Sequence, residues 1–169
     1  EHFTTPVKSQ GYNCCCWDFA GTSILESEIY RQHGKVYDLS EMWIARHAYY
    51  EKAVRHVRHY GKNHYRCGGI HADVMAMVKK YGVVPQEVYD ECRKTDGKYD
   101  HRELVDTLRS YLADLVKMKN GTMKPDWLDD IDAILDEHMG ARPEKFIYKG
   151  REYTPLSFAQ SLGIDFDDY

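Results

Sequence analysis

The chain is expected to fold as a predominantly helical α+β domain, and three features of the sequence point there. Apolar residues recur at helical spacing along five long stretches, each stretch is closed by a glycine, and strand-like alternation is confined to one short segment near the C-terminus. With 169 residues of which 43% are apolar, the chain is long enough to hold one core as a single domain over residues 1–169.

Taken in order, residues 1–10 lack helical periodicity and contain Thr4-Thr5-Pro6, which suits an extended arm. A first helix is predicted from Cys16 to about His33, with Phe19, Ile24, Leu25 and Ile29 on its apolar side and Gly34 as its stop, and it is expected to be the central helix. Asp38-Leu39-Ser40-Glu41 is a start signal with Ser40 as N-cap, and the second helix runs through Met42, Ile44, Ala45, Ala48, Tyr49, Ala53 and Val57 to Gly61. Lys62 to Gly69 reads as a loop, and a third helix covers about Ile70 to Tyr81, with Val74, Met77 and Val78 inward and Gly82 as its stop. Val83-Val84-Pro85 is extended, and Lys94-Thr95-Asp96-Gly97-Lys98 is a turn. Helices from about Asp100 to Lys119 and from about Pro125 to Met139, ended by Gly121 and Gly140, form an αα-hairpin inserted at about residues 98–140. Phe146-Ile147-Tyr148, Lys149-Gly150 and Arg151-Glu152-Tyr153 alternate as a short β-hairpin, and Thr154-Pro155 start a last helix that reaches Gly163. There is no internal repeat and no low-complexity segment.

The 23 basic and 27 acidic residues are mixed along the chain and give a net charge of −4, without the basic excess that drives binding to a phosphate backbone; nucleic acid is not an expected partner. No apolar run approaches the roughly 20 residues of a membrane helix, so no membrane partner is expected, and no basic-then-apolar segment opens the chain. The start at Glu1 leaves an exported and processed form open. Cysteine is used five times, three times in a row. Adjacent cysteines are strained as a pair, which argues against a dense disulfide framework, and Cys67 and Cys92 are isolated, which argues against a four-ligand zinc site. At least one free, reactive thiol is expected, Cys14 and Cys15 are read as loop residues without a catalytic role, and no metal or organic cofactor is predicted.

Gln10-Gly11-Tyr12-Asn13-Cys14-Cys15-Cys16-Trp17 is the segment whose residue types make sense as a site. A helix beginning at Cys16 presents its unpaired N–H groups and positive dipole end to the sulfur, which favours a thiolate, and the amide of Gln10 is a donor for a developing oxyanion. Asp18 places a carboxylate beside that thiolate. A cysteine considered alone is more often a buried structural residue, and Gly68-Gly69 alone is an ordinary loop pair. His56, His59 and His64 in HVRHYGKNH could hold a metal but read better as a solvated helix face.

PVKSQGYNCCCW resembles the nucleophile segment of papain-like cysteine peptidases, with Gln10 matching the oxyanion-hole glutamine, Cys16 the nucleophile and Trp17 the residue after it. Gly68-Gly69-Ile70-His71-Ala72-Asp73-Val74, Lys80-Tyr81-Gly82-Val83-Val84-Pro85 and Glu152-Tyr153-Thr154-Pro155-Leu156-Ser157-Phe158 are similar to the bleomycin hydrolase and aminopeptidase C branch of that family. The resemblance implies the helical lobe of a papain-like fold, peptide substrate, a thioester acyl-enzyme on Cys16, aminopeptidase-type specificity, substrate binding by Gly68, Gly69 and Trp17, a cytoplasmic location and assembly into a cage-like homo-oligomer. Glycine suits that role because a peptide can approach its backbone closely.

A cysteine peptidase needs a general base and a group to orient it. His71 lies near the site-lining glycines but too close to them to match the family's catalytic histidine, and no histidine follows Gly140. The catalytic His and Asn are therefore expected from a second lobe or chain, with a processed two-chain enzyme, a shortened chain and a natural half as the alternatives. The other function weighed is a non-catalytic binding or inhibitory module that keeps the lobe; Asp18, the Cys14-Cys15 pair and the missing base speak for it.

Overall fold

In the computed structural model, which describes residues 5–92, 94–118 and 124–166, the chain forms six α-helices and two small hairpins, and one of the helices is buried on nearly every side. That helix is α2 (Glu41–Arg58), not the first helix as the sequence suggested. Its buried residues include Met42, Trp43, Ile44, Ala45, Ala48, Tyr49, Ala53, Val54 and Val57, which cover more than one face of a helical wheel. The helix α1 (Cys16–His33), α3 (His71–Tyr81), α4 (Arg102–Lys117) and α5 (Trp127–Met139) all pack on it. Ser40 caps it as predicted, its hydroxyl accepting from the Trp43 backbone N–H at 3.1 Å.

The first helix has the predicted bounds and ends at Gly34 with φ +65°, yet it buries polar as well as apolar groups: Asp18, Thr22 and Glu26 are inside with Leu25 and Ile29, whereas Ile24, predicted to face inward, is half exposed. The arm from Thr5 to Lys8 supplies partners for two buried acids, Glu26 and Glu41. Thr5 donates to Glu26 at 2.6 Å, and the Lys8 ammonium reaches Glu41 at 2.7 Å and Asp38 at 2.6 Å.

Helix α3 buries Val74, Met75 and Val78, with Met77 only partly covered, so the inward face is turned slightly from the predicted one. Helix α6 (Pro155–Ser161) is capped by Thr154, whose hydroxyl accepts from the Ser157 N–H at 3.1 Å, and packs back on α3. Helices α4 and α5 pack on one another and belong to the same core: Leu104, Leu108, Leu112 and Leu115 repeat on one buried face, and the buried Arg46 of α2 bridges to Asp132 of α5 at 3.2 Å and to Asp136. Gly121, the expected stop of the fourth helix, and Lys119 lie outside the described residues. The turn at residues 94–98 is a small hairpin of β1 (Lys94–Thr95) and β2 (Lys98–Tyr99). The hairpin β3 (Phe146–Tyr148) and β4 (Arg151–Tyr153) pairs Phe146 with Tyr153 and Tyr148 with Arg151, as the alternation predicted.

Candidate active site

The segment from Gln10 to Trp17 is held from three sides. The Tyr12 N–H donates to the Tyr99 carbonyl at 2.7 Å, and the His101 N–H donates back to the Tyr12 carbonyl at 3.1 Å. Gly11, at φ +65°, lies so close to β2 that a Cβ there would stand 2.4 Å from the Tyr99 oxygen. At the far end of the segment the Asp18 and Phe19 N–H groups both turn back onto the Cys15 carbonyl, which starts α1.

The three consecutive cysteines have three different fates. Cys14 is joined to Cys67 in a disulfide, across 53 positions. Cys67, read from the sequence as isolated, is therefore paired, and the loop residue Cys14 is its partner. Both cysteines lie on segments expected to meet at one cleft, which is the signal that could have paired them. Cys15 is fully buried, its sulfur sharing a hydrogen bond with the Tyr49 hydroxyl at 3.2 Å; burial, and then the nearby Asp18, push its thiol pKa far up, so it stays protonated. Cys16 opens α1 and is exposed. Among the described residues, which include all five cysteines, it is the one free thiol at the surface, since Cys92 is also buried.

Asp18 is not beside an exposed thiolate. It is fully buried, its Oδ1 accepts from the Thr22 hydroxyl at 3.2 Å, and burial followed by the proximity of Glu41 raises its pKa well above the ordinary value.

Trp17, Gly68 and Gly69 are brought together. The Trp17 indole N–H donates to the Cys67 carbonyl at 3.2 Å, and a Cβ on Gly69 would stand 2.7 Å from the Trp17 ring. Lys52 of α2 closes the group, its ammonium 4.8 Å from the Trp17 ring centre and donating to the Gly68 carbonyl at 2.5 Å. Burial lowers the Lys52 pKa, with Asp73 at 4.0 Å opposing the shift. Nothing lies within 4 Å of a Cβ built on Gly68, so that backbone faces open space. Gln10 is turned along its own loop, its Nε2 donating to the Asn13 carbonyl at 2.9 Å, which leaves the second N–H of the amide unspent.

Of the histidines weighed earlier, His71 packs towards α1, where a Cβ on Gly21 would meet its Nδ1 at 3.3 Å. His56 is tied to the Asn63 carbonyl at 2.5 Å, His59 follows the end of α2, and no group of three metal-ligating side chains occurs among the described residues. Sequence reasoning missed His101, whose Nδ1 meets the Tyr49 hydroxyl at 2.8 Å and whose Nε2 meets the Cys92 sulfur at 3.0 Å. Burial lowers its pKa to about 4. With both ring nitrogens engaged in the core, it fixes the loop and offers no base to Cys16.

A sequence profile described as the Peptidase C1-like family matches residues 3–155. Procathepsin L from Felis catus is 51% identical over 39 residues, 23% of this chain and 12% of that protein. Among solved structures, PepW from Lactobacillus rhamnosis HN001 (DR20) superposes with a TM-score of 0.68 at 22% identity, over 99% of this chain and 46% of that one. The chain thus spans less than half the length of the PepW chain, and its match to procathepsin L covers about an eighth of that protein.

Proposed function

The chain belongs to the Peptidase C1-like family, and from that premise we propose that it is the nucleophile-bearing helical lobe of a thiol peptidase. Cys16 attacks the carbonyl carbon of a peptide bond, the oxyanion is held by the Gln10 amide together with a backbone N–H at the start of α1, and the amine leaves to give a thioester that water hydrolyses. Gly68 and Gly69 pair with the extended substrate, and Trp17 walls the cleft. The His that takes the thiol proton and later protonates the amine, and the Asn that orients it, come from a second lobe or chain. Specificity is of the aminopeptidase type, within an oligomer.

One observation carries this reading: of five cysteines, the one at the matching position is the one that is both free and exposed, at the first turn of an 18-residue helix. The reading as a non-catalytic module is weakened, because the two features of the chain itself that favoured it have structural roles. Asp18 is a fully buried residue that accepts from Thr22, and Cys14 is a disulfide partner.

The test is alkylation of the full-length protein by iodoacetamide or an epoxide at pH 6, with the modified residue mapped by mass spectrometry. Cys16 should be labelled at least tenfold faster than Cys15 or Cys92, and Cys16→Ser should lower peptide hydrolysis by roughly the 10⁴-fold or more typical of losing a nucleophile. Full hydrolysis by Cys16→Ser would end the proposal.

A further inference from the structure

We propose that Lys52 of α2 is a positioning residue of the substrate site: by holding the Gly68 carbonyl it aims the Gly69 N–H at the backbone of the peptide substrate. This rests on the peptidase reading above and adds a residue that lies outside the motifs read from the sequence, together with the part of the glycine pair that is offered to substrate. The Lys52 ammonium donates to the Gly68 carbonyl at 2.5 Å and lies 4.8 Å from the centre of the Trp17 ring; Asp73, its carboxylate neighbour, stands at 4.0 Å, beyond hydrogen-bond distance. The Lys52 side chain is 17% exposed and belongs to the helix that is buried on nearly every side, so it is a fixed support for the loop above it.

The Gly68 carbonyl and the Gly69 N–H belong to one peptide unit. That unit is planar and trans, so its C=O and N–H point in opposite directions, and a carbonyl fixed towards Lys52 turns the N–H away from it. The backbone groups on either side are spent. The Cys67 carbonyl accepts from the Trp17 indole at 3.2 Å, the Ile70 N–H donates to Asp73 at 3.0 Å, and the Ile70 carbonyl accepts from the Asp73 N–H at 2.9 Å. Among the described residues, the N–H of Gly68 and both the N–H and the carbonyl of Gly69 have no hydrogen-bond partner. With glycine on both sides the peptide unit turns over at little steric cost, and the charge-assisted bond from Lys52 is what opposes that turn. Gly69 lies on the Trp17 ring, where a Cβ would stand 2.7 Å away, so its unspent groups are held beside the residue that follows Cys16. A free N–H and a free C=O on one residue match the C=O and N–H of an extended peptide laid along the same edge.

The experiment measures kcat and KM of the full-length protein on a fluorogenic peptide, and the Kd of the same peptide in the Cys16→Ser background. Lys52→Met, which keeps the length of the stem and removes the donor, should raise KM and Kd by roughly five- to tenfold, the worth of about one hydrogen bond, with kcat and the rate of Cys16 alkylation within about twofold of the parent. Lys52→Gln, a neutral donor, should raise them less, and Lys52→Arg, which keeps a charged donor over the Trp17 ring, should stay within about threefold of the parent. Thermal melts are read for each, and if Lys52→Met does not fold, Lys52→Gln against Lys52→Arg carries the same comparison. An unchanged KM in every folded variant, a fall in kcat at constant KM, or a Lys52→Arg protein as impaired as the variants without the charge would overturn the inference while leaving the peptidase reading in place. Absence of any Cys16-dependent hydrolysis would remove that reading and this inference with it.

Discussion

At the scale of single residues, the titratable groups of the interior pull stability in opposite directions with pH. Asp18 is a carboxyl whose folded pKa is raised by burial. Above its ordinary pKa the folded state holds a proton that the unfolded chain releases, so its contribution falls as pH rises. Asp18→Asn, which keeps the shape and can still meet Thr22, should match the parent near pH 4 and be more stable by roughly 1–3 kcal/mol at pH 8, read from urea midpoints; equal stability at both values would show that the carboxyl is not held neutral. His47 and His101 act the other way. Burial lowers them to about 2 and about 4, so both are neutral in the folded state, and their contribution is complete above the ordinary histidine pKa near 6.5 and is lost as pH falls below it. Between about pH 6 and pH 4 each adds a slope of up to ~1.4 kcal/mol per pH unit, and His47→Phe, whose ring can keep the stack on Tyr81, should flatten the decline. An unchanged slope would place the acid sensitivity elsewhere. None of these roles was legible in the sequence, because burial decides them. The sequence groups Cys16, Gln10, Trp17 and the glycine pair by motif spacing, and the structure brings Trp17 against Gly69, whereas the burial of Asp18 leaves no signal in the sequence.

At the scale of elements, the bounds of the helices were read well because caps and stops are local chemistry: Ser40, Thr154, Gly34, Gly82 and Gly140 all sit at helix ends in the structure. Which helix lies at the centre was not, since α1 carries Asp18, Thr22 and Glu26 inward and α2 is buried around its circumference despite Arg46 and His47; polar residues inside both helices blur the periodic signal that separates a buried face from a solvated one. Two of the stop glycines also differ in kind. Gly34 adopts φ +65° with nothing within 4 Å of a Cβ, so Gly34→Ala should cost only the left-handed penalty of about 1 kcal/mol. Gly82 combines φ +73° with a backbone approach that would put a Cβ 2.2 Å from the Pro155 carbonyl, where the end of α3 meets the start of α6, and the Trp43 indole donates to the Gly82 carbonyl at 3.0 Å. Gly82→Ala should therefore cost more than about 3 kcal/mol, seen as a much larger fall in melting temperature than that of Gly34→Ala. Similar losses for the two would mean that the α3–α6 junction yields easily.

At the scale of the whole molecule, the Cys14–Cys67 bond encloses α1 and α2, so the loop it closes contains the helix about which the core is built. Restricting 53 residues of the unfolded chain corresponds, on the chain-entropy account, to a stabilisation of about 4 kcal/mol, and native-state strain or residual unfolded structure lowers the observed value towards about 2. The bond also joins the loop before Cys16 to the segment of Gly68 and Gly69, so the same constraint that stabilises the core lines the candidate cleft. Two measurements on the same material follow. Titration with a chromogenic disulfide should find one thiol reacting in the native chain, three after unfolding without reductant and five after reduction, since Cys16 is exposed, Cys15 and Cys92 are buried and the remaining two are paired. The double variant Cys14→Ser with Cys67→Ser should lose roughly 2–4 kcal/mol in a denaturant melt, and adding reductant should bring the parent down to the variant's midpoint while leaving the variant where it was. If reductant moves the two midpoints equally, the bond is not the constraint. If four thiols react in the unfolded, unreduced chain, a bond to a further partner has taken its place.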